Sequence, residues 1–519
     1  TLFQTCALPI PTFESFLKES WKSIHSAAGV STAFDRFWLE SVERGGFVVQ
    51  AQTASTGSFA VKSSLVGLLK EIETPEAHGS HANIGKGELH VYPYFSVHSF
   101  DGRSANRPWL QEIPDPLTTA VWNSWAEVHP NTAHALGLHK NDIVTVRNEY
   151  GEVNLPVYLT PYVREDIVAV PVGQGHTALG RYAKEVSSCG NVINLIPPVV
   201  AKKGVALSLL STTGTLSRGR GKSKLLVLQG SDTEMKRGIG QEEAVLASPA
   251  AAKLADRLGH ESGGHGGHDS HGEGHHDIKQ MYNQREHPVY AWGLAVDLAA
   301  CTGCSACVVA CYAENNIPVV GKAQVYKGRE MSWLRIERYY DGSADELQVS
   351  FVPMMCQHCN NAPCEPVCPV YATYHNEEGI NAMVYNRCVG TRYCSNNCSY
   401  KVRRFNWFEY ETPEPLSWQL NPDVTKRGLG VMEKCTFCIQ RIAEAKDRAK
   451  DLGRLVEDGE VKPACVQSCP TKALSFGNLN DPKSEVSKKA HDKRGYKVLD
   501  KWINTQPAVS YLKRVRVEI

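Results

Sequence analysis

Residues 301–311 read Cys301-Thr-Gly-Cys304-Ser-Ala-Cys307-Val-Val-Ala-Cys311, a run with the spacing C-x2-C-x2-C-x3-C. One tight loop with this spacing can place three thiolates at the corners of an iron–sulfur cube, while the fourth cysteine points to a second cluster. Zinc would favour isolated C-x2-C pairs, and disulfide frameworks are typical of small secreted chains. The spacing therefore predicts a ferredoxin-like module with more than one cluster.

Three further runs of cysteines follow. The second run is Cys356, Cys359, Cys364 and Cys368; the third is Cys388, Cys394 and Cys398; the fourth is Cys435, Cys438, Cys465 and Cys469. Of the 17 cysteines, Cys6 and Cys189 alone lie outside these runs, and we expect them to be buried core thiols. An odd total also excludes a framework in which every cysteine pairs within the chain.

The third run departs from the frame of the first. Thr391 stands where the second cysteine would fall in Cys388-Val-Gly-Thr391-Arg-Tyr-Cys394-Ser-Asn-Asn-Cys398. Because a hydroxyl is a poor iron ligand, we expect a [3Fe–4S] cluster here and [4Fe–4S] cubes elsewhere. The fifteen cysteines of the four runs then supply three cubes with four thiolates each and one three-iron cluster with three. The alternative is a four-iron cluster whose fourth ligand is not a cysteine, such as water.

Composition limits the class of protein. The 519 residues carry 56 Lys+Arg against 55 Asp+Glu, with 42% hydrophobic and 21% charged residues, as in an ordinary globular protein of several domains. A net charge of +1 argues against a nucleic-acid partner, which normally demands a basic surplus. The longest apolar candidate, Leu298–Ala313, contains four cysteines and is too short for a membrane span. Because the chain begins at Thr1 instead of Met, we expect a processed form or a fragment.

The sequence divides into five segments. We expect a partial helical segment at 1–84, a β-rich domain at 85–245, a His/Gly-rich linker at 246–284, the cysteine-rich domain at 285–485 and a basic tail at 486–519. Helices are predicted at Phe13–Ile24, Thr32–Val42 and Glu444–Arg454, and strands at Ile143–Arg147, Val153–Leu159, Ile167–Val172, Val205–Leu210 and Leu225–Leu228. The histidines of residues 259–276 are interpreted as part of a flexible linker, with metal binding left open as the alternative.

Two sets of motifs resemble known families. Cys356-Gln-His-Cys359-Asn-Asn-Ala-Pro-Cys364-Glu-Pro-Val-Cys368-Pro369, Tyr385-Asn-Arg-Cys388, Tyr400-Lys-Val-Arg-Arg-Phe-Asn-Trp407 and Glu433-Lys-Cys435-Thr-Phe-Cys438 resemble the four-cluster subunits of complex iron–sulfur molybdoenzymes, such as polysulfide, DMSO and nitrate reductases. The stretches Glu127–Gly137, Asp142–Gly151 and Val170–Gly175 resemble the C-terminal β-barrel of the molybdopterin subunits. The fusion of both parts is similar to the ActB family of iron–sulfur subunits of alternative complex III, a bacterial quinol oxidase.

The resemblance implies an α+β multidomain fold, with a molybdopterin-oxidoreductase-like β-barrel domain followed by a double ferredoxin-like domain. It also implies how the runs share clusters, the outer two together and the inner two together. The implied cubes take Cys301, Cys304, Cys307 and Cys469; Cys435, Cys438, Cys465 and Cys311; and Cys356, Cys359, Cys364 and Cys398. The implied [3Fe–4S] cluster takes Cys388, Cys394 and Cys368, with Thr391 at the missing ligand position.

The function implied by the resemblance is electron transfer without a catalytic residue in this chain. Quinol is oxidised in an NrfD-like membrane partner, and single electrons pass through the four clusters to a cytochrome c subunit or another acceptor. The subunit is expected at the periplasmic face of the bacterial cytoplasmic membrane, among further subunits of the complex, with no molybdopterin. Two alternatives stay open: the electron-transfer subunit of a molybdenum reductase of the polysulfide or DMSO reductase type, and a structural scaffold whose clusters are not redox-active.

Overall fold

The structure is a computed structural model that describes residues 86–186, 190–196, 200–201, 204–205, 212–246, 285–342 and 347–518, with short pieces at 18–19, 21–22, 24–26 and 31–43. The chain divides into two compact units, Thr1–Gly79 and Ser80–Ile519. In the first unit, helix α1 (Phe34–Glu43) confirms the helix expected at Thr32–Val42. Three predicted features lie outside the described residues: most of the helix expected at Phe13–Ile24, the two cysteines outside the runs (Cys6 and Cys189), and the His-rich segment.

The first part of the second unit is a closed barrel. Its strands are β1 (Glu88–Phe95), β3 (Ala126–Val128), β4 (Asp142–Arg147), β5 (Glu152–Leu159), β6 (Ile167–Val172) and β9 (Thr212–Lys222), in the spatial order β1-β6-β3-β5-β4-β9. Short strands accompany it: β2 (Ala120–Val121), β7 (Val200–Ala201), β8 (Gly204–Val205), β10 (Leu226–Val227) and β11 (Glu242–Leu246). Helices α2 (Pro108–Glu112), α3 (Pro130–Ala135) and α4 (Arg181–Lys184) and a 3₁₀ turn (Val192–Leu195) lie between the strands.

The alternation of apolar residues explains the barrel. On β4, Val144 and Val146 are fully buried while Ile143 and Thr145 are half-buried, so this strand turns one face inward; β6 is buried on both faces from Val168 to Val172. Three predicted strands, those in β4, β5 and β6, are confirmed. The prediction at Leu225–Leu228 corresponds to the two-residue strand β10, and that at Val205–Leu210 lies mostly outside the described residues.

The cysteine-rich part contains one four-stranded sheet and several hairpins. Its strands are β12 (Trp292–Asp297), β13 (Arg335–Asp341), β14 (Gln348–Met354), β15 (Thr373–His375), β16 (Asn381–Met383), β17 (Arg404–Phe405), β18 (Met432–Glu433), β19 (Leu474–Asn478), β20 (Gly495–Tyr496), β21 (Val509–Leu512) and β22 (Arg514–Glu518). Its helices are α5 (Ala306–Glu314), α6 (Lys322–Val325), α7 (Tyr393–Asn397), α8 (Ile439–Asp451), α9 (Ala464–Gln467), α10 (Glu485–Ala490) and α11 (Asp500–Ile503), with 3₁₀ turns at Tyr385–Arg387 and Leu416–Gln419. The four-stranded sheet has the order β19-β12-β21-β20.

The expectation of a basic tail at 486–519 was wrong. Strand β21 pairs in parallel with β12 in the middle of the sheet, and β20 pairs with β21. Val509 and Tyr511 are completely buried there. The lysines of this segment lie around strands that belong to the core sheet, so the segment completes the cysteine-rich domain.

The barrel and the cysteine-rich part contact each other within the second unit. Glu112 of α2 accepts backbone N–H bonds from Val320 and Gly321, at 3.1 and 3.2 Å. The buried side chain of Arg338 donates to the carbonyl of Leu117 and to the hydroxyl of Tyr158. Strand β11, which ends the barrel part, pairs in parallel with β22 at the far end of the chain.

Among the described residues, no helix combines the length and apolar character that crossing a membrane requires.

Candidate metal centres

The cysteines of the four runs all carry free thiols, and the thiols that act electrostatically on one another define four groups. Group A is Cys301, Cys304, Cys307 and Cys469. Group B is Cys311, Cys435, Cys438 and Cys465. Group C is Cys356, Cys359, Cys364 and Cys398. Group D is Cys368, Cys388 and Cys394. These are the sets that the resemblance implied; the cluster assigned to each set stays a prediction.

The loop before α5 shows how a short sequence wraps a group. Gly303 adopts a left-handed φ of 70°, and an added Cβ would come within 2.6 Å of the ring of Phe351. Ser305 at the helix N-cap is also left-handed, with φ of 62°. The two reversals turn the chain between Cys301 and Cys307, so the thiols face one space instead of alternating along an extended strand.

Pairs of cysteines four residues apart connect neighbouring groups. Helix α5 carries Cys307 of group A and Cys311 of group B, and such positions lie one above the other on a helix face. The same spacing divides three further pairs: Cys465 and Cys469 between B and A, Cys364 and Cys368 between C and D, and Cys394 and Cys398 between D and C.

Neighbouring groups are linked in succession. The thiol of Cys307 acts on Cys465, which places A beside B. The thiol of Cys356 acts on Cys435, which places C beside B. Arg403 acts on thiols of both C and D. These links give the succession A–B–C–D, the order that a chain of four centres would have.

Burial decides the chemistry of the thiols. It raises the pKa of Cys301 to about 11 and that of Cys435 to about 12, since a buried thiolate loses its hydration. Thiolates in such places need a cation beside them, and iron supplies that charge when it is ligated. Cys469 differs: burial opposes ionisation, but hydrogen bonds from Thr471 and from the backbone N–H of Ala473 lower its pKa. The buried thiols therefore fit ligands of a metal cluster.

Backbone N–H groups point at several sulfurs. Ala473 donates to Cys469 Sγ at 3.3 Å, and Ala372 donates to Cys368 Sγ at 3.2 Å. Each donor lies four residues after the cysteine of a Cys-Pro pair, so the two halves of the domain repeat the same turn. Met432 donates to Cys388 Sγ at 3.4 Å. Hydrogen bonds of this kind tune the reduction potential of a bound cluster.

Group D encloses a cavity that also includes Thr391. The lining contains Cys368, Cys388 and Cys394 together with Thr391, which is consistent with the predicted place of Thr391 at the missing ligand position. A three-iron cluster and a four-iron cluster with a non-cysteine ligand are both compatible with this lining.

No three His, Cys, Asp or Glu side chains in the described part of the chain converge on a point suited to a single metal ion. A cluster needs a different arrangement, because its thiolates bind separate irons at its corners.

Two buried cations between the groups were not found from the sequence. The side chain of Lys434 is fully buried; its Nζ donates to the carbonyl of Cys435 at 2.9 Å, and its charge acts on Cys364 of group C. Arg403 is 4% exposed and lies between C and D. The tract Val402–Phe408 is recognisable as a mixture of basic and aromatic residues, but the sequence does not show that Arg403 faces inward.

Comparisons with known proteins identify both parts of the second unit as members of described domain families. The "Molydopterin dinucleotide binding domain" matches residues 104–202. The "4Fe-4S dicluster domain" matches residues 300–372 and, in a second form, residues 347–413. The cysteine-rich part is therefore an iron–sulfur protein of the dicluster ferredoxin class.

Several curated relatives match this part of the chain. The iron–sulfur cluster-binding subunit of menaquinone reductase from Nitratidesulfovibrio vulgaris is 42% identical over 228 residues, 43% of this chain and 89% of the relative. The iron–sulfur subunit of a putative dimethyl sulfoxide reductase from Halobacterium salinarum is 38% identical over 43% of this chain and 78% of its own length. An iron–sulfur subunit of the Hdr-like menaquinol oxidoreductase from Archaeoglobus fulgidus is 35% identical, with coverages of 38% and 74%. The chain belongs to this family of iron–sulfur electron-transfer subunits of oxidoreductase complexes.

The barrel contains a small cavity and, on its wall, a larger open groove of about 560 Å³ lined among others by Arg147, Glu152 and Arg218. Its enclosed polar cavity, lined among others by His98, Gln111 and Gln174, has a volume of about 20 Å³, which is space for about one water. The amides of Gln111 and Gln174 hydrogen-bond each other at 3.0 and 2.9 Å across it. A molybdopterin is larger than this cavity, and the absence of the cofactor from the barrel as a whole stays a prediction.

Proposed function

We propose that this chain is the electron-transfer subunit of a membrane quinol oxidoreductase of the alternative complex III type. It receives single electrons from quinol oxidised in an NrfD-like membrane partner and passes them to a cytochrome c or another periplasmic acceptor. The observation that carries the proposal is the succession of four thiol groups A–B–C–D, because a succession of centres has two ends and conducts between two partners. Membership in a family of such subunits supports it.

Groups A, B and C hold the three [4Fe–4S] clusters in this proposal, and group D holds the [3Fe–4S] cluster. The clusters supply one-electron transfer. The chain contributes the fixed order of the thiols, the exclusion of water from them, and the hydrogen bonds and buried charges that set their potentials. No bond of a substrate is made or broken by residues of this chain.

The surface beside group D suits a membrane partner. Tyr371, Val389 and Tyr393 adjoin its cysteines in the sequence and have 62%, 63% and 58% of their surface exposed. Large exposed apolar side chains grouped around one site mark an interaction surface. Group D, at this end of the succession, is the proposed first acceptor of electrons from quinol, and a cluster with one thiolate fewer suits that place through a higher potential.

The barrel carries no molybdopterin in this proposal, and its role is to hold the cysteine-rich part. The alternative is a subunit of a molybdenum reductase that runs electrons towards an oxidant, which the names of relatives such as the putative dimethyl sulfoxide reductase favour. Molybdenum at one atom per complex in the purified protein would support the alternative.

The deciding experiment is a redox titration of the intact complex followed by low-temperature EPR, with quinol as the reductant. We expect four clusters, a three-iron signal in the oxidised protein that quinol removes, and reoxidation by cytochrome c. Clusters that do not titrate in the range between quinol and cytochrome would instead indicate a structural scaffold. The absence of a three-iron signal would contradict the assignment of group D.

A further inference from the structure

Arg403 is a buried cation that lies beside thiols of both inner groups. Its Nη1 donates to Cys364 Sγ of group C at 3.3 Å. Arg403 also lines the cavity of group D together with Cys368, Cys388 and Cys394, and its charge favours the thiolate of Cys394. Cys356 and Cys398 of group C feel its charge as well. The guanidinium therefore lies between the two places where clusters C and D are proposed.

The surroundings of Arg403 fix its position without neutralising it. Nη1 also donates to Asn381 Oδ1 at 3.3 Å, and Nη2 donates to Thr373 Oγ1 at 2.5 Å and contacts Met383 Sδ at 3.2 Å. All of these partners are uncharged. Among the described residues, no carboxylate forms an ion pair with Arg403, whereas its neighbour Arg404 pairs with Glu330 at 2.7 Å.

A buried cation without a carboxylate is costly, because a desolvated charge must find an opposite charge nearby. The groups that face Arg403 are the cysteines of C and D, and an iron–sulfur cluster bound through thiolates is anionic. The nearby ring of His358 supplies no negative charge, since an imidazole is neutral or cationic, and its Nδ1 accepts the N–H of Asn381.

We propose that Arg403 is a shared positioning residue of clusters C and D, whose buried positive charge raises the reduction potentials of both together. A reduced cluster carries one more negative charge than an oxidised one, so a cation fixed beside it favours reduction. Because the same charge acts on both clusters, both potentials move in the same direction. The inference rests on the proposed assignment of clusters to groups C and D.

The test is an EPR-monitored titration with chemical mediators of the intact complex that carries Arg403→Gln, Arg403→Lys or Lys401→Gln. We expect Arg403→Gln to lower both potentials, changing the oxidised-to-reduced ratio of each cluster at least tenfold at fixed ambient potential, which is about 59 mV for a one-electron couple. Arg403→Lys keeps the charge, so both clusters stay closer to the parent. Lys401 lies two residues before Arg403, and its side chain is exposed. Lys401→Gln removes an equal charge from this exposed position and should change the ratios less than twofold.

The proposal is overturned if Arg403→Gln moves one potential alone or neither, or if Lys401→Gln moves both as far. If Arg403→Gln fails to retain iron, the Arg403→Lys variant is the deciding one. Iron retention with both cluster potentials close to those of the parent supports the shared charge, and loss of iron in Arg403→Lys as well contradicts it. The mediators make the titration independent of quinol. A complex that quinol does not reduce would refute the proposed function while leaving this comparison intact.

Discussion

At the scale of single residues, Thr391 makes the sharpest prediction. It lines the cavity of group D together with three cysteines, which is consistent with its predicted place at the missing ligand position. We expect Thr391→Cys to convert the three-iron cluster into a four-iron cluster with a lower potential. The oxidised three-iron EPR signal should then disappear, and electron transfer from quinol should slow at least tenfold.

Thr391→Ser is the matched control, since it keeps a hydroxyl at the same position and should retain the three-iron signal. A parent protein with a four-iron cluster in group D would contradict the interpretation of Thr391. So would a Thr391→Cys variant that still gives the three-iron signal at full intensity.

The spacing of the cysteines showed the gap at Thr391, but it did not show Arg403 or Lys434. The partners of Arg403 are Cys364, Thr373, Asn381 and Met383, which lie 20 to 39 positions earlier in the chain. A motif reports residues that act together over a few positions, whereas a buried charge is recognised only by what the fold brings around it.

At the scale of elements, the position of strand β21 inside the four-stranded sheet allows a prediction for a C-terminally shortened chain. A chain that ends after Arg494 loses β20, β21 and β22, and with β21 the parallel partner of β12. Val509 and Tyr511 are completely buried, and removing such side chains costs about 2–5 kcal/mol each. We expect the protein truncated after Arg494 not to fold into a form that incorporates iron. The iron content of the purified protein measures this.

A chain that ends after Lys513 is the control, because it loses only β22 and keeps the four-stranded sheet. It should retain iron. A full iron content in the shorter protein would show that residues 495–512 are dispensable, as the sequence had suggested. The sequence misled because lysines flank short apolar runs in this segment, and two strands of a few residues leave little periodicity to detect.

Helix α2 predicts a pH effect at the junction of the two parts. Burial raises the pKa of Glu112 to about 7, although the N–H bonds from Val320 and Gly321 lower it. Because the pKa of Glu112 is higher in the folded than in the unfolded protein, this group stabilises the folded protein fully at pH values below the ordinary carboxyl pKa. This contribution is lost as the pH rises to about 7. Between the ordinary carboxyl pKa and pH 7, the unfolding free energy should fall by up to about 3 kcal/mol from this group.

Glu112→Gln removes the titrating group while keeping an oxygen that accepts an N–H bond. We therefore expect the difference in unfolding free energy between the parent and this variant to depend on pH in that interval and to be constant above it. Chemical denaturation at several pH values measures the difference. A difference that stays constant across the whole interval would contradict the assignment.

At the scale of the whole molecule, the barrel and the cysteine-rich part belong to one compact unit. The contacts of Arg338 with Leu117 and Tyr158 and the pairing of β11 with β22 do not depend on the peptide bonds between the two parts. We expect a protease site inserted in residues 259–276 to be cleaved without separating the fragments. Their co-elution in size-exclusion chromatography checks this.

Arg338→Ala weakens the same junction and serves as the comparison, because its loss removes two hydrogen bonds that cross between the parts. After cleavage, this variant should dissociate at a lower urea concentration than the cleaved parent. Fragments of the parent that separate without denaturant would mean that the parts are held together by the connecting chain alone.

The four-residue spacing of the shared cysteines has a consequence for tunnelling. Four residues of an α-helix rise about 6 Å, so α5 fixes the separation of the cysteines that it gives to groups A and B, whereas Cys364 and Cys368 of groups C and D lie in a segment of turns. No such pair bridges B and C among the cysteines of the four runs, and beside that boundary Phe437 stacks on His358 with ring centroids 3.9 Å apart. If the proposed clusters occupy these groups, B and C meet where no shared pair of cysteines links them, and we expect side-chain changes at Phe437 or His358 to alter the rate of electron transfer across that boundary.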